Sequence, residues 1–322
     1  MVQLKQRINK IGSLQAIAAI VVIFIMGCII SPNGFATTGN LTNILKQSLT
    51  IALVAYGMTF VVLAGSIDLS VPMGVVVAAY VCLLLCKVNV VLAIVVACAV
   101  CCVIGLANAF LINACKFPSM IATYAMSMLI KGVLILIMGN ASFNVKDMPA
   151  ALNFLGFGKL FGIIPFSAVM LVVICIIASL LLKRVPAIRN IYAVGGNAEA
   201  AKMMGIGVNK TRYIAHALCG IFTGLAGVNM AARVNSAVIT GGTGLDMMAI
   251  ASIVIGGVMM SGGRGKMSAG LWGALAMAML SNVFKLQTVL NYYYEEAVIG
   301  AMLIVVLLAQ AILSRRMKVR RL

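Results

Sequence analysis

Acidic residues are scarce: the 322-residue chain holds six Asp and Glu against 24 Lys and Arg, with a single histidine. That scarcity excludes much chemistry. Paired-carboxylate catalysis needs two acids across a polar cleft, whereas the adjacent pair Glu295-Glu296 stands beside a helix start, where negative charge complements the dipole. His216 has no spaced set of His, Cys or carboxylates around it, so it reads as a packed, hydrogen-bonded side chain rather than a ligand or base. The nine cysteines lie in or beside apolar runs; Cys98, Cys101 and Cys102 have CxxC spacing but sit among Val, Ala and Ile, which points to packing rather than to disulfides or a metal. A phosphate loop is also missing. In Gly256–Lys266, Met260 stands where the Walker pattern needs glycine and Met267 where Ser or Thr must follow Lys266.

Apolar residues are what the chain has in abundance. Hydrophobic residues make up 63%, charged residues 9%, and the mean hydropathy is +1.15, far outside the soluble range. The expected fold is all-α: a polytopic membrane protein of about ten transmembrane helices with short broken or re-entrant segments. The spans fall near residues 14–30, 43–64, 71–87, 90–113, 119–138, 164–182, 212–232, 248–261, 268–284 and 296–313. The first exceeds the apolar core of a signal peptide and reads as a retained helix. The net charge of +18 carries no nucleic-acid footprint, because the basic residues flank apolar runs and form no face interleaved with aromatics. Placing both termini in the cytoplasm puts most of the basic residues inside, as the positive-inside bias requires. Residues 1–322 then form one transmembrane domain.

Two polar interruptions carry the functional expectations. Lys183–Arg212 is a long polar passage in which Asn197 accepts the first free amides of a helix, Glu199 complements its start, and Gly205 supplies a left-handed stop. The result is a two-turn helix over Ala198–Met204, too short for a domain and too well punctuated for a tether. It reads either as a cytoplasmic docking element or as a capped surface loop between membrane helices. Ala64–Gly74 brings an acid, two hydroxyls, a proline and two glycines between apolar runs. It is either a broken helix facing a polar pathway or an interhelical turn in which Asp68 caps the next helix. A faint internal echo, Leu106–Phe110 against Leu280–Phe284, ends a span in each half.

Three blocks in order, Gly57–Ser70 (GMTFVVLAGSIDLS), Ile191–Ala237 and Ala249–Gly265 (AIASIVIGGVMMSGGRG), closely resemble the permeases of bacterial ribose-type ATP-binding-cassette importers. The resemblance implies a cytoplasmic loop at Gly196–Val208 that engages an ATPase subunit, with Gly196, Asn197, Glu199, Ala200, Ala201 and Gly205 as coupling residues. The small face bearing Ala201 is expected to enter an ATPase groove. Among the small and polar groups of the spans, Gly65, Ser66, Asp68, Ser70, Asn108 and Asn282 are the translocation-path candidates; the resemblance places the first four in the membrane core. It also implies a bacterial plasma-membrane location, a permease dimer, two ATPase modules and an extracytoplasmic sugar-binding protein, with ATP held by the partner and no cofactor in this chain. The chain departs from the family pattern at Ser66, Pro72, Phe117-Pro118 and Asp246-Met247-Met248. Two other readings fit the composition: a stand-alone secondary carrier with Asp68 as coupling group, and an intramembrane scaffold subunit.

Overall fold

A computed structural model describes the backbone of residues 2–139, 142–286 and 292–319 and, within these, the side chains of 15–139, 142–286, 294–308 and 310. The first five helices are α1 Val2–Ile30, α2 Thr38–Leu63, α3 Val71–Leu85, α4 Val90–Asn113 and α5 Ser119–Met138. A strand β1 Phe143–Asn144 and the short α6 Ala150–Phe157 follow, then β2 Lys159–Leu160, β3 Ile164–Pro165 and α7 Phe166–Arg184. The polar passage holds α8 Pro186–Gly196 and α9 Ala198–Met203. The rest comprises α10 Val208–Val234, β4 Ser236–Ala237, a 3-10 turn at Ile239–Gly242, α11 Leu245–Ile255, α12 Ser268–Lys285 and α13 Tyr292–Val319.

The local causes are ordinary. Thr37 accepts the Asn40 amide at the start of α2, and Asn89 accepts the Leu92 amide at the start of α4. Pro72 occupies the first turn of α3, where its missing N–H costs nothing. The strands are short clasps: β1 pairs antiparallel with β4, Phe143 opposite Ala237, and β2 with β3.

Each of the ten apolar runs holds a helix, and the chain is an all-α polytopic membrane protein. Among the described residues, α2, α4, α5, α7 and α10 are long and apolar enough to cross a membrane, while Gln15–Ile30, Val71–Leu85 and Ile239–Ile255 are shorter apolar helices. The run expected over 248–261 ends as a helix at Ile255, because the chain turns through Gly257 in the left-handed region. The stretch expected as polar connection between Lys183 and Ala198 is mostly helix. Ile188, Ile191 and Val194 recur along one face of α8 and are buried, a periodicity that its flanking charges mask.

Helices α2 and α10 form the centre. The latter packs on α4, α2 and α3, and α12 packs on α2 and α11. By contrast α4, α5 and α7 turn large apolar side chains outward, among them Val91, Val95, Leu129, Leu136 and Ile176. Water would not tolerate so continuous an apolar surface; hydrocarbon does. The bundle has two ends. At one, the last carbonyl of α2, on Leu63, accepts the Gly263 amide at 3.0 Å. Toward the other, the first half of α2 meets the last turns of α10, with Asn229 Nδ2 donating to Thr50 Oγ1 at 2.7 Å. The same series of long helix, break, short helix and two further helices therefore occurs twice, α2–α5 and α10–α13, running in opposite senses.

Close approach of α4 and α10 depends on Gly220, whose added Cβ would meet the carbonyl of Cys101. Gly220→Ala should lower stability by about 1–3 kcal/mol, the usual cost of overpacking, read as a fall in the thermal unfolding midpoint in detergent. Gly132→Ala is the control, since nothing lies within 4 Å of its added methyl.

Candidate functional site

The polar passage is built as a rigid projection. Asn197 ends α8 in an extended conformation and begins α9, its Oδ1 accepting the Ala200 amide at 3.0 Å. Gly205 takes φ +79°, and the Ile206 amide reaches the Ala201 carbonyl at 3.0 Å, which closes the far end. Gly196, Asn197, Glu199, Ala200 and Gly205 are exposed. Ala201 is 0% exposed and packs inward. The expectation that its face enters a partner is therefore corrected: that face holds α9 to its own chain. The outward residues are Met203 and Met204, 92% and 69% exposed. An apolar pair so exposed at the tip of a capped helix is a contact surface, and methionine is well suited to an adaptable contact.

Beneath α9 the chain meets itself backbone to backbone. A Cβ on Gly195 would collide with the Leu63 carbonyl and lie 2.8 Å from the Gly263 nitrogen, so α8 touches the end of α2 and the α11–α12 loop directly. Gly65, at φ +79°, belongs to this junction: a Cβ added there would lie 3.8 Å from the Gly195 Cα. Tyr192 adds a side-chain tie. Burial pushes its phenol up to about 12, so it keeps its proton and donates to the Gly265 carbonyl at 2.9 Å.

Four of the six path candidates do converge. Asp68 Oδ1 accepts the Ser70 amide at 3.0 Å and the Ser70 hydroxyl at 2.6 Å. Asn108 Nδ2 reaches both Asp68 oxygens at 3.2 and 3.3 Å and Ser70 Oγ at 2.8 Å. On the other side His216 Nδ1 lies 3.3 Å from Asp68 Oδ2, and Nε2 lies 3.2 Å from Ser66 Oγ. A carboxylate only accepts, so Nδ1 carries the proton and neutral Nε2 accepts from the Ser66 hydroxyl. Backbone amides of the break are met as well, Leu69 by Thr123 Oγ1 at 3.0 Å and Ile67 by Ser119 Oγ at 3.4 Å. The order Ser66–His216–Asp68 copies a hydrolase triad without its surroundings. All three side chains are buried, and the adjoining void lined by Asp68, Ser70 and Thr223 measures about 10 Å³, room for about one water. Hydrolysis has no place for a substrate.

Asn282 is not part of this cluster. It sits at the opposite end, exchanging two 2.8 Å hydrogen bonds with Asn40. There a cavity of about 540 Å³ opens between α2, α10, α11, α12 and α13, its polar lining including Gln47, Thr50, Arg233, Lys285 and Glu295. Their convergence was missed because they are isolated polar side chains spread over four apolar runs, Gln47 and Thr50 on one and the others each on another.

Comparison with known proteins supplies the context for this geometry. The family model described as "Branched-chain amino acid transport system / permease component" matches residues 40–307. The chain is 33% identical over 286 residues to the ribose import permease protein RbsC of Escherichia coli (strain K12), covering 87% of this chain and 88% of that one. It is 32% identical to the probable ABC transporter permease protein YphD of the same strain, covering 98% and 94%. Identity to the D-allose transport system permease protein AlsC, again of that strain, is 30%, covering 95% and 93%. No solved structure matches.

Losing one hydrogen bond to a neutral buried group costs about 1–3 kcal/mol, and Asp68 is the shared acceptor for Ser70, Asn108 and His216, whereas the Ser66 hydroxyl meets His216 alone among the described residues. Asp68→Ala should therefore lower the unfolding midpoint much further than Ser66→Ala. Equal shifts would mean that the carboxylate does not hold the cluster together.

Proposed function

The chain belongs to the branched-chain amino acid transport system / permease component family, among the permeases of ATP-binding-cassette importers, and we propose that it carries a monosaccharide inward on ATP hydrolysed by a separate subunit. The observation that supports this most is the exposed Met203-Met204 pair on α9, joined to α2 and to the α11–α12 loop through the glycine contacts beneath it. A helix held so firmly to both halves of the bundle moves them when it is moved. In this reading α9 faces the cytoplasm, both termini lie on that side, and the two methionines seat in a groove of the ATPase.

An extracytoplasmic sugar-binding protein docks at the cavity end, and a second permease copy or a paralogue completes the assembly. The ATPase holds the nucleotide; this chain holds none. A pentose or hexose is the favoured cargo, in keeping with the relatives named for ribose and D-allose. Sorting among sugars falls to the binding protein, because stringent rejection takes many placed polar partners and the spans offer few. A carrier using Asp68 as a coupling group would need that carboxylate to reach solute and water. Its contacts with Ser70, Asn108 and His216 and the small void beside it speak against this.

Met203→Asp with Met204→Asp should leave the protein inserted but abolish ATPase co-purification and uptake, since truncating a central anchor of an interface costs about 2 kcal/mol or more. Normal co-purification and uptake in that variant would remove α9 from the mechanism. A single cysteine at position 203 should react with a membrane-impermeant maleimide in inside-out vesicles and not in intact cells. Uptake in ATP-depleted vesicles driven by a proton or sodium gradient would instead establish a carrier.

A further inference from the structure

One buried group at the cavity end lacks what its burial demands. Glu295 on α13 is 2% exposed, and its Oε1 has no hydrogen-bond partner although the residue lines the 540 Å³ cavity. A buried acceptor left unmet is costly, more so when charged. Two cations line the same space. Arg233 donates to the Lys46 carbonyl at 3.3 Å and to Thr50 Oγ1 at 3.4 Å, and Lys285 is exposed at the end of α12. Among the described residues neither forms an ion pair with Glu295. Opposite charges thus face one space without meeting, and a group placed between them can satisfy both.

We propose that this cavity receives an uncharged, polyhydroxylated solute, with Glu295 accepting its hydroxyl hydrogens and Arg233 and Lys285 donating to its hydroxyl oxygens. The proposal rests on the reading of the chain as a sugar permease and adds the residues that touch the sugar and the charge it must have. A hydroxyl group both donates and accepts, so one kind of group serves all three side chains. An anionic solute would sit against Glu295, and a cationic one against Arg233 and Lys285. Gln47, Thr50, Thr240 and Thr243 extend the polar lining, while Ile51, Met230 and Leu245 offer apolar wall to a ring's C–H face. The volume lies within the range of about 300–1,000 Å³ usual for small-molecule pockets. Contact is weak by design, because a solute on a transport path has to leave again.

The test uses the full chain in lipid nanodiscs with saturation-transfer NMR at millimolar solute, comparing D-ribose, its aldonate and an amino sugar. Ribose should receive saturation, and both charged probes should bind more weakly than ribose. Glu295→Gln should weaken ribose binding about tenfold, the effect of leaving a buried polar partner unmatched, and Lys285→Gln should weaken it by less, its side chain being exposed. Absence of ribose contact, an aldonate or amino-sugar signal exceeding that of ribose, or unchanged ribose binding in both variants would overturn the proposal. The three-probe comparison on the unmodified chain needs no variant to fold. ATP-driven ribose uptake by the assembled importer, measured alongside, separates the two failures. Uptake with an indifferent cavity sinks this inference alone, whereas uptake by an ion gradient without ATP sinks the permease reading on which it rests.

Discussion

A carboxylate inside an apolar bundle has to be met by donors from every side, and Asp68 draws its donors from its own break and from two distant helices. Ser70 comes from the break itself, Asn108 from α4, and His216 from α10. Only one relative placement of these elements puts them all within reach. Desolvating the charge costs several kcal/mol that attraction and hydrogen bonds recover only when the set is complete. The cluster is therefore better at choosing one arrangement than at adding stability. It ties the first half of the chain to the second through α10, and the hydroxyls of α5 satisfy the amides that the break exposes.

The two halves reach across each other in the same manner at opposite ends. Helix α4 lies chiefly on α10, the first helix of the other half, and α12 lies on α2. Asn108 and Asn282 close their helices at corresponding places, one bonded into the Asp68 cluster and the other to Asn40. Polar closure at one end is dense and nearly void-free, while at the other it is loose enough to leave a cavity. That asymmetry is what a path blocked on one side and open on the other requires.

Much of this was legible in the residues. Apolar runs located the helices because backbone groups in hydrocarbon have to be satisfied within a segment. Asn197 and Gly205 marked both ends of α9 because capping chemistry is local. Which face of so short a helix turns inward is not local, and Ala201 went inward while Met203 and Met204 went out. Ser66, Asp68 and Ser70 share one motif, but Asn108 and His216 joined them only through packing of α4 and α10. Glu295 looked like a helix-start acid; its burial against a cavity depends on five elements that no periodicity relates.

The contact of Gly195 with Leu63 and Gly263 also has a mechanical meaning. Side-chain interfaces are springs, since rotamers can swing and absorb a shift before the backbone responds. Main chain pressed on main chain has no such compliance. A displacement applied at the tip of α9 would arrive at the end of α2 with little lost in transit, and its hydrogen bond to Gly263 would pass it onward to the loop before α12. The joint behaves as a stiff lever bearing, and its sensitivity to any added atom is the counterpart of that stiffness.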